Sequence, residues 1–247
     1  MASKGAGGAN RAKGFPMTPK IVVSYDDTDN DRDALALGQL LARGGAQLSL
    51  AYVRHAQQSD RDREALEERA ARELLDHGAE ILGDPGVPRH VIVHASTGDG
   101  LRELALRHGA DLLVFGSEYR TAPGAVTPGA SAERLLSGGP VAVAIAPADM
   151  RSHLPHRVEL IGLVEDGDPA AGQTARALAT SLDARVTSDD DTEPDLVVVG
   201  STSGGQPGRV TLSASVGYEL ETATVPVLAV PRGRPVPFAA AALTGRT

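Results

Sequence analysis

Two glycine-containing loops hold the residues of this chain whose types and spacing could do chemistry. The segment 110–147 recurs without insertion or deletion at 194–231, each time as an apolar run, a loop, a short helical stretch and a second apolar run. In the first copy the loop lies between Gly116 and Gly129. Glycines let the backbone approach a phosphate closely, and the start of the following helix offers unpaired amides and a favourable dipole. The spacing therefore predicts phosphate binding by backbone groups.

A phosphate in this chain would have to be held without lysine, because no lysine follows Lys20. That absence excludes a P-loop lysine, a Schiff-base lysine and the lysine of a phosphoacceptor receiver domain. The chain has no cysteine, which excludes disulfides, thiolate metal sites and cysteine nucleophiles. Its histidines show neither metal-ligand spacing nor the G-x-S-x-G motif of serine hydrolases. Backbone amides, hydroxyls and arginine side chains remain as phosphate ligands.

Alternating strands and helices must position these loops. Apolar runs predict strands at 20–25, 47–53, 90–95, 112–115 and 141–146, with helices between them. In the long helix at about 60–82, the predicted core face is Leu66, Ala70 and Leu74. Such alternation is typical of a parallel α/β sheet with helices on both faces, where ligands bind at the carboxyl ends of strands. The ends of the first and fourth strands, at Asp26 and Gly116, are therefore the predicted binding edge.

The internal repeat divides the chain into a full unit and a shortened one. We assign 1–19 to a disordered tail, 20–147 to the first domain, 148–157 to a linker, 158–232 to the second domain and 233–247 to a flexible tail. The stretch from Asp166 to Gly200 is much shorter than that from Asp26 to Gly116, by about one helix, strand and helix. We expect the domains to pack through their last strands, 141–146 and 227–230.

Charge and composition restrict the partners. The formal net charge of -8 argues against nucleic acid or an anionic membrane as the main partner. No stretch of the sequence has the long apolar run of a transmembrane helix. The absence of cysteine fits a reducing compartment, and we expect a cytoplasmic protein.

With these features the chain resembles the universal stress proteins, whose loop is written G-x2-G-x9-G-[ST]. The four loop positions are occupied, with the family spacing intact, by Gly116, Tyr119, Gly129 and Ala130. The entry strand and the following Asp26-Asp27-Thr28 look like the family's strand-one Asp-Gly-Ser. The resemblance covers 20–147 and about 158–232. It implies a tandem member: a parallel five-stranded α/β sheet with helices on both faces, followed by a shortened copy, acting in the stress response as a regulatory protein rather than an enzyme.

The resemblance also implies an ATP or AMP site in the first domain, where Mg could accompany the nucleotide. The residues that it places at the nucleotide are Ser24, Tyr25, Asp26, Val53, Phe115, Gly116, Arg120, Gly129, Ala130, Ser131 and Ala132. Two positions depart from the pattern. Tyr119 replaces a glycine, which would strain the backbone if φ is positive there, and Ala130 replaces the phosphate-binding hydroxyl. In the second copy only Gly200 keeps the pattern, and we expect no nucleotide there.

Two classes of function stay open at this point. One is a regulator that binds an adenine nucleotide, and the other is a nucleotide-independent adaptor of the same fold whose partner is an unidentified protein. A weak ATP hydrolase is a further alternative. A redox flavoprotein would share the sheet, but the loop spacing favours an adenine nucleotide. The pairing of two domains within one chain leaves open whether whole chains form a homodimer.

Overall fold

Short aliphatic runs form the strands of one sheet, because such residues suit a surface that is buried on both faces. The structure, a computed structural model, describes residues 18–55, 61–153, 157–189 and 191–238. The strands are β1 (Lys20–Ser24), β2 (Gln47–Arg54), β3 (Arg89–Val93), β4 (Leu112–Gly116), β5 (Ala142–Ala146), β6 (Leu160–Val164), β7 (Arg185–Thr187), β8 (Leu196–Gly200) and β9 (Val227–Val230).

The strand order is β3-β2-β1-β4-β5-β9-β8-β6-β7. Neighbouring strands are parallel except β5 and β9, which pair antiparallel with Ala144 opposite Leu228. The parallel sheet predicted for the first five strands is confirmed, and so is the contact between 141–146 and 227–230. Outward from this junction, β9, β8, β6 and β7 follow the same order as β5, β4, β1 and β2 on the other side.

Helices cover both faces of the sheet. They are α1 (Asp29–Arg43), α2 (Arg61–Leu82), α3 (Thr97–His108), α4 (Ala130–Leu136), α5 (Met150–His153), α6 (Ala170–Leu182) and α7 (Ala214–Thr222). The buried residues of α1, α2 and α6 share one core with one face of the strands, and those of α3, α4 and α7 share the other. Within the described ranges, none of these helices has the length and apolar character needed to cross a membrane.

The core face predicted for α2 was wrong for Leu66 and Ala70, which are exposed, whereas Leu74 packs partly buried against the core. Leu66 is 64% exposed, whereas Ala71, Leu75 and Ala79 are buried. Both sets of residues are spaced four apart, so spacing alone does not choose between them. The helix turns its small residues to the sheet because it packs closely: a Cβ on Gly78 would lie 2.9 Å from Cε1 of Tyr25.

The flexible tail predicted for 233–247 was wrong in its described part, 233–238. Val236 and Phe238 are buried in the core that contains α6. The amide of Val236 donates a hydrogen bond of 3.0 Å to Oγ1 of the buried Thr174. Two apolar side chains and a satisfied amide fix this segment. The rest of the predicted tail, like most of 1–19, falls outside the described residues.

A buried carboxylate anchors the predicted linker to α1. Asp33 has no exposed surface, and its oxygens accept hydrogen bonds from the amides of Asp149 at 2.8 Å and Arg151 at 3.0 Å. The guanidinium of Arg151 lies 3.4 Å from the same carboxylate. Although the sequence predicts only a linker at 148–157, part of it forms the short helix α5, which these bonds fasten to α1.

Candidate functional site

The predicted binding edge is formed where β1, β2 and β4 end side by side. Ser24 ends β1 next to Ala51 of β2, and Val23 of β1 lies next to Val114 of β4. Phe115 and Gly116 end β4. Three of the predicted site residues therefore lie at the same edge of the sheet: Ser24, Val53 and Gly116. The side chains of Val53 and Phe115 are buried beneath this edge. They can therefore offer a ligand an apolar surface but no polar contact.

The turn after β1 is held by its own acidic side chains. Oδ2 of Asp31 accepts hydrogen bonds from the amide of Asp26 at 3.0 Å and the amide of Thr28 at 3.2 Å. In return, Oγ1 of Thr28 accepts from the amide of Asp31 and completes a capping box at the start of α1. The exposed carboxylate of Asp26 takes no part in this cap. Partial desolvation of its carboxyl group, together with the charge of the neighbouring Asp31, raises the pKa of Asp26.

Tyr25 faces the core instead of the edge. Its side chain is 1% exposed, and its hydroxyl donates a hydrogen bond of 2.7 Å to Oδ1 of Asp27. Only the backbone of Tyr25 can therefore reach a ligand at this edge. Burial, together with the hydrogen bond to Asp27 and the charge of that residue, raises the pKa of Tyr25 far above the usual value for tyrosine.

The raised pKa of Tyr25 predicts a loss of stability in alkali. Above pH about 10 the tyrosine ionises in the unfolded chain but stays protonated in the folded one, so the unfolded state binds fewer protons and stability falls as pH rises. Tyr25→Phe should remove up to about 1.4 kcal/mol per pH unit from this slope. Urea unfolding at pH values on both sides of 10 measures it. Tyr218→Phe, at a 64% exposed position, is the control; equal slopes in the two variants would contradict the assignment.

The loop after β4 is tied to α1 through Asn30. The Nδ2 group of Asn30 donates to the carbonyl oxygens of Ser117 at 2.9 Å and Glu118 at 2.7 Å. Gly116 allows this approach because a Cβ there would lie 2.0 Å from the carbonyl oxygen of Asn30. Gly116 of the loop motif thus allows β4 and α1 to pack in close contact. Sequence reasoning missed Asn30, although its position in the first turn of the helix after β1 is visible in the sequence.

The base of the loop is held by Ser117. Its hydroxyl donates to the carbonyl oxygen of Ala146 at 2.7 Å and accepts from the amide of Thr127 at 3.2 Å. The amide of Glu118 donates to the carbonyl oxygen of Thr127 at 2.8 Å, which closes the loop from the other side. The loop is therefore a defined structure in which few backbone groups need rearrange to meet a ligand.

The strain considered for Tyr119 is absent. In the described part of the chain, positive φ angles outside glycine occur at Asp27, Asp149 and Asp183. Tyr119 is 69% exposed, and the guanidinium carbon of Arg120 lies 4.9 Å from its ring centroid. The loop thus accepts a tyrosine without strain because this position does not require a left-handed backbone. Within the loop, the amide of Arg120 donates a hydrogen bond of 2.8 Å to Oε2 of Glu118.

The first turn of α4 borders the loop. Gly129 is the N-cap and provides no side-chain hydrogen bond to that turn. Ala130 is exposed, Ser131 is partly buried, and Ala132 is buried against the core. A Cβ on Gly98 of α3 would lie 3.2 Å from the carbonyl oxygen of Ser131, so α3 packs closely on this turn.

The loop of the second half has the same hydrogen bonds but a different helix cap. The hydroxyl of Ser201 donates to the carbonyl oxygen of Val230 at 2.7 Å and accepts from the amide of Thr211 at 3.1 Å, as Ser117 does in the first half. Ser213 stands where the first half has Gly129, and its Oγ accepts from the amide of Val216. The first turn of α7 is thus capped by the side chain of Ser213, whereas that of α4 has no side-chain cap.

The two loops are also fastened to each other's half. The amide of Val126 in the first loop donates to the carbonyl oxygen of Ala223 after α7 at 3.1 Å. Reciprocally, the amide of Val210 in the second loop donates to the carbonyl oxygen of Gly139 after α4 at 2.9 Å. Each loop therefore depends on the other half for part of its support.

Among the described residues, no group of three or more histidine and carboxylate side chains could hold a metal ion.

Comparison with protein families gives one match. A family model described as the universal stress protein family matches residues 17–147. No curated protein is similar enough in sequence to be matched.

Solved structures share the fold. A universal stress protein from Archaeoglobus fulgidus DSM 4304 is 16% identical over 87% of this chain and 98% of that chain, with a TM-score of 0.64. A functionally unknown protein from Pseudomonas aeruginosa PAO1 is 15% identical over 87% of this chain and 93% of that chain, with a TM-score of 0.56. A universal stress protein in complex with cAMP matches 39% of this chain and 75% of its own at 26% identity, with a TM-score of 0.32. The first two extend the likeness in fold beyond residue 147.

Proposed function

Because the chain belongs to the universal stress protein family, a family of stress-response proteins, we propose that it is a cytoplasmic regulatory protein that binds ATP or AMP in its first half. Catalysis is not part of this role. The edge formed by the ends of β1, β2 and β4 would hold the adenosine, and the loop 117–129 with the start of α4 would hold the phosphates. Mg would enter with the nucleotide.

The observation that carries this proposal is the loop that Asn30 holds beside the ends of β1 and β4. Asn30 binds the carbonyl oxygens of Ser117 and Glu118, so the loop stands directly above the end of β4. The first turn of α4, which has no side-chain cap, follows the loop along the chain, and the exposed Asp26 follows β1. Backbone amides and a carboxyl acceptor are the groups that a phosphate and a ribose require. This arrangement supports an adenine nucleotide without any lysine.

We interpret 158–232 as a shortened copy of the first domain that no longer binds nucleotide. The equal order of the strands on both sides of the β5–β9 junction supports this interpretation. The hydroxyls of Ser117 and Ser201 also make equivalent hydrogen bonds, to the carbonyl oxygens of Ala146 and Val230, which supports the same interpretation. Its function would be to complete the sheet and to support the first loop through the bond from Val126 to Ala223.

Restoring the missing hydroxyl is expected to strengthen nucleotide binding. In Ala130→Ser, the hydroxyl would lie in the uncapped first turn of α4 and could donate to a phosphate. A hydrogen bond to a charged group contributes about 1.5 to 3 kcal/mol, so ATP should bind about tenfold to a hundredfold more tightly. Isothermal titration of the full chain with ATP and with AMP, each with and without Mg, measures the effect and should give one site per chain.

The matched control is Ala214→Ser, which makes the same change at the first position of α7. Because Ser213 already caps that turn, this variant should bind ATP as the unchanged chain does. Affinity weaker than about millimolar in both the unchanged chain and Ala130→Ser would reject nucleotide binding. Equal strengthening by the two substitutions would reject the proposed location.

The competing function is that of a nucleotide-independent adaptor. The exposed side chains of Tyr119 and Tyr218 favour it, because exposed tyrosines are typical of protein interfaces. Ala130→Ser would then leave all binding unchanged, whereas Tyr119→Ala would weaken capture of a protein partner. A weak ATP hydrolase of the same fold would release phosphate from ATP, which the titrated samples would reveal.

A further inference from the structure

We infer a second ligand site, for an organic phosphate monoester, in the groove between the end of α4 and the loop of the second half. This groove has a volume of about 560 Å³. Ser137, Gln206, Arg209 and Thr211 line it with hydrogen-bonding groups, while Leu136 and Leu212 give it apolar walls, and none of its lining residues is acidic. Ligand pockets combine apolar walls with a few polar groups in this way. The site shares no residue with the nucleotide edge of the first half.

The walls of the groove are fixed by backbone pairing. Ser137 and Thr211 form an antiparallel bridge across it. The amide of Val210 donates to the carbonyl oxygen of Gly139 at 2.9 Å, beside the same bridge. The two halves of the chain thus meet here in a defined geometry, so the polar groups that line the groove are already in place before a ligand arrives.

Three arginines near the groove are held by carbonyl oxygens. Arg209 donates through Nη1 to Gly138 at 3.1 Å, and Arg234 donates through Nη1 to Pro140 at 2.9 Å. Arg232 donates to the carbonyl oxygen of Gly205, the residue before Gln206 of the groove. The amide of Arg232 also donates to the carbonyl oxygen of Arg209, which keeps the two residues together. A guanidinium has five N–H groups, so each remains able to bind an anion.

These arginines differ from most others in having no carboxylate partner. Elsewhere, arginines pair with acids, as Arg72 does with Glu68 and Arg89 with Asp76. Across 18–55, 61–153, 157–189 and 191–238, no ion pair involves Arg209, Arg232 or Arg234. Among the described residues, these three cations thus lie without a carboxylate partner in a chain of formal charge -8.

The carboxylate of Asp168 contacts the turn between Arg232 and Arg234, and it is engaged with the backbone. Its Oδ1 accepts from the amides of Ala170 at 3.0 Å and Gly233 at 2.9 Å, and the residue is 8% exposed. It stabilises the turn between Arg232 and Arg234 without pairing with either side chain. The groove therefore keeps an excess of positive charge.

Chemistry selects a phosphate ester as the occupant. The planar guanidinium fork matches phosphate oxygens, and the hydroxyls of Ser137 and Thr211 add donors. The leucine walls and Gln206 suit an organic group attached to that phosphate. A groove of this size is larger than inorganic phosphate needs, which is why an ester fits it better.

Ribose 5-phosphate and inorganic phosphate are the probes that test the site. In NMR titrations of the full chain, ribose 5-phosphate should shift the Nε–Hε signal of Arg209 and the methyl signals of Leu136 and Leu212. Arg209→Gln should weaken its binding about tenfold to a hundredfold, because one charge-assisted contact is lost. Arg209→Lys, which keeps the charge but loses the fork, should give an intermediate loss. Thermal unfolding of each variant verifies that it folds.

The matched control is Arg185→Gln. Arg185 is an exposed arginine on the edge strand β7, and its substitution changes the net charge equally. It should alter binding by less than about twofold. Equal weakening by the two glutamine variants, or binding of ribose 5-phosphate weaker than about 10 mM by the unchanged chain, would overturn the site. Inorganic phosphate bound as tightly as ribose 5-phosphate would overturn the assignment of an ester.

Discussion

Alanine at position 116 is expected to destabilise the protein by about 3 kcal/mol, a large effect for adding one methyl group. The new Cβ would lie 2.0 Å from the carbonyl oxygen of Asn30 and 2.5 Å from its carbonyl carbon. Both atoms belong to the backbone of α1, so no side-chain rotation relieves the clash. The start of α1 must move away from β4, which also breaks the bonds from Asn30 to Ser117 and Glu118. Gly116→Ala should therefore lose nucleotide affinity as well as stability.

Gly129→Ala is the matched control for this substitution. Gly129 belongs to the same loop motif, but a Cβ there would meet nothing within 4 Å. Its φ of -76° is open to any residue, so we expect a change within about 1 kcal/mol. Urea unfolding gives the free energies of both variants, and ATP titration gives their affinities. If Gly116→Ala unfolded at the same urea concentration as Gly129→Ala, the close contact between Gly116 and Asn30 would be refuted.

Removal of the Asp33 carboxylate is expected to lower the free energy of unfolding by about 2 to 5 kcal/mol. Asp33→Ala would leave the amides of Asp149 and Arg151 without the fully buried carboxylate that accepts their hydrogen bonds. It would also remove one of the two carboxylate partners of the Arg151 guanidinium, which keeps Asp29, and open a cavity beneath α5. The linker should then detach from α1, with faster hydrogen exchange at the amides of Asp149 and Arg151 as its signature.

Two further variants separate this effect from a general loss of charge. Asp33→Asn keeps one oxygen acceptor and should cost about half as much as the alanine variant. Asp76→Ala removes an exposed carboxylate that lies 2.9 Å from Arg89, and such a surface pair contributes less than about 1 kcal/mol. If Asp33→Ala and Asp76→Ala lowered the free energy of unfolding by similar amounts, the buried contacts of Asp33 to the linker would contribute no more to stability than a surface ion pair.

The sequence predicted the fold largely because the chain states its pattern twice. Apolar runs defined the strands, and the aligned repeat indicated which strands would meet in the middle of the sheet. The face of α2 was predicted wrongly because Leu66 and Ala71 both begin series of apolar residues four apart. The choice between them depends on the closeness of Gly78 to Tyr25, a tertiary contact that helical spacing does not encode.

The candidate site was predicted by position but not by mechanism. The loop glycines pointed to the ends of the strands, where the structure places Ser24, Asp26 and Gly116. Their partners depend on contacts between distant residues: Asn30 reaches across 87 positions to Ser117. Similarly, Tyr119 suggested strain only because its backbone conformation could not be known from the residue type. Side chains that act across the fold are therefore the part that a single sequence conceals.

The antiparallel pairing of β5 with β9 also matters while the chain is being made. All five residues of β5 are buried in the finished sheet, yet β9 leaves the ribosome about 80 residues later, which takes roughly 4 to 16 s at ordinary rates of synthesis. During that interval the first five strands can form a sheet whose last edge is apolar and unpaired. A second nascent chain that is translated from the same mRNA exposes an identical unpaired strand edge. Correct folding therefore requires β9 to pair with β5 before the unpaired edge of a neighbouring chain pairs with it.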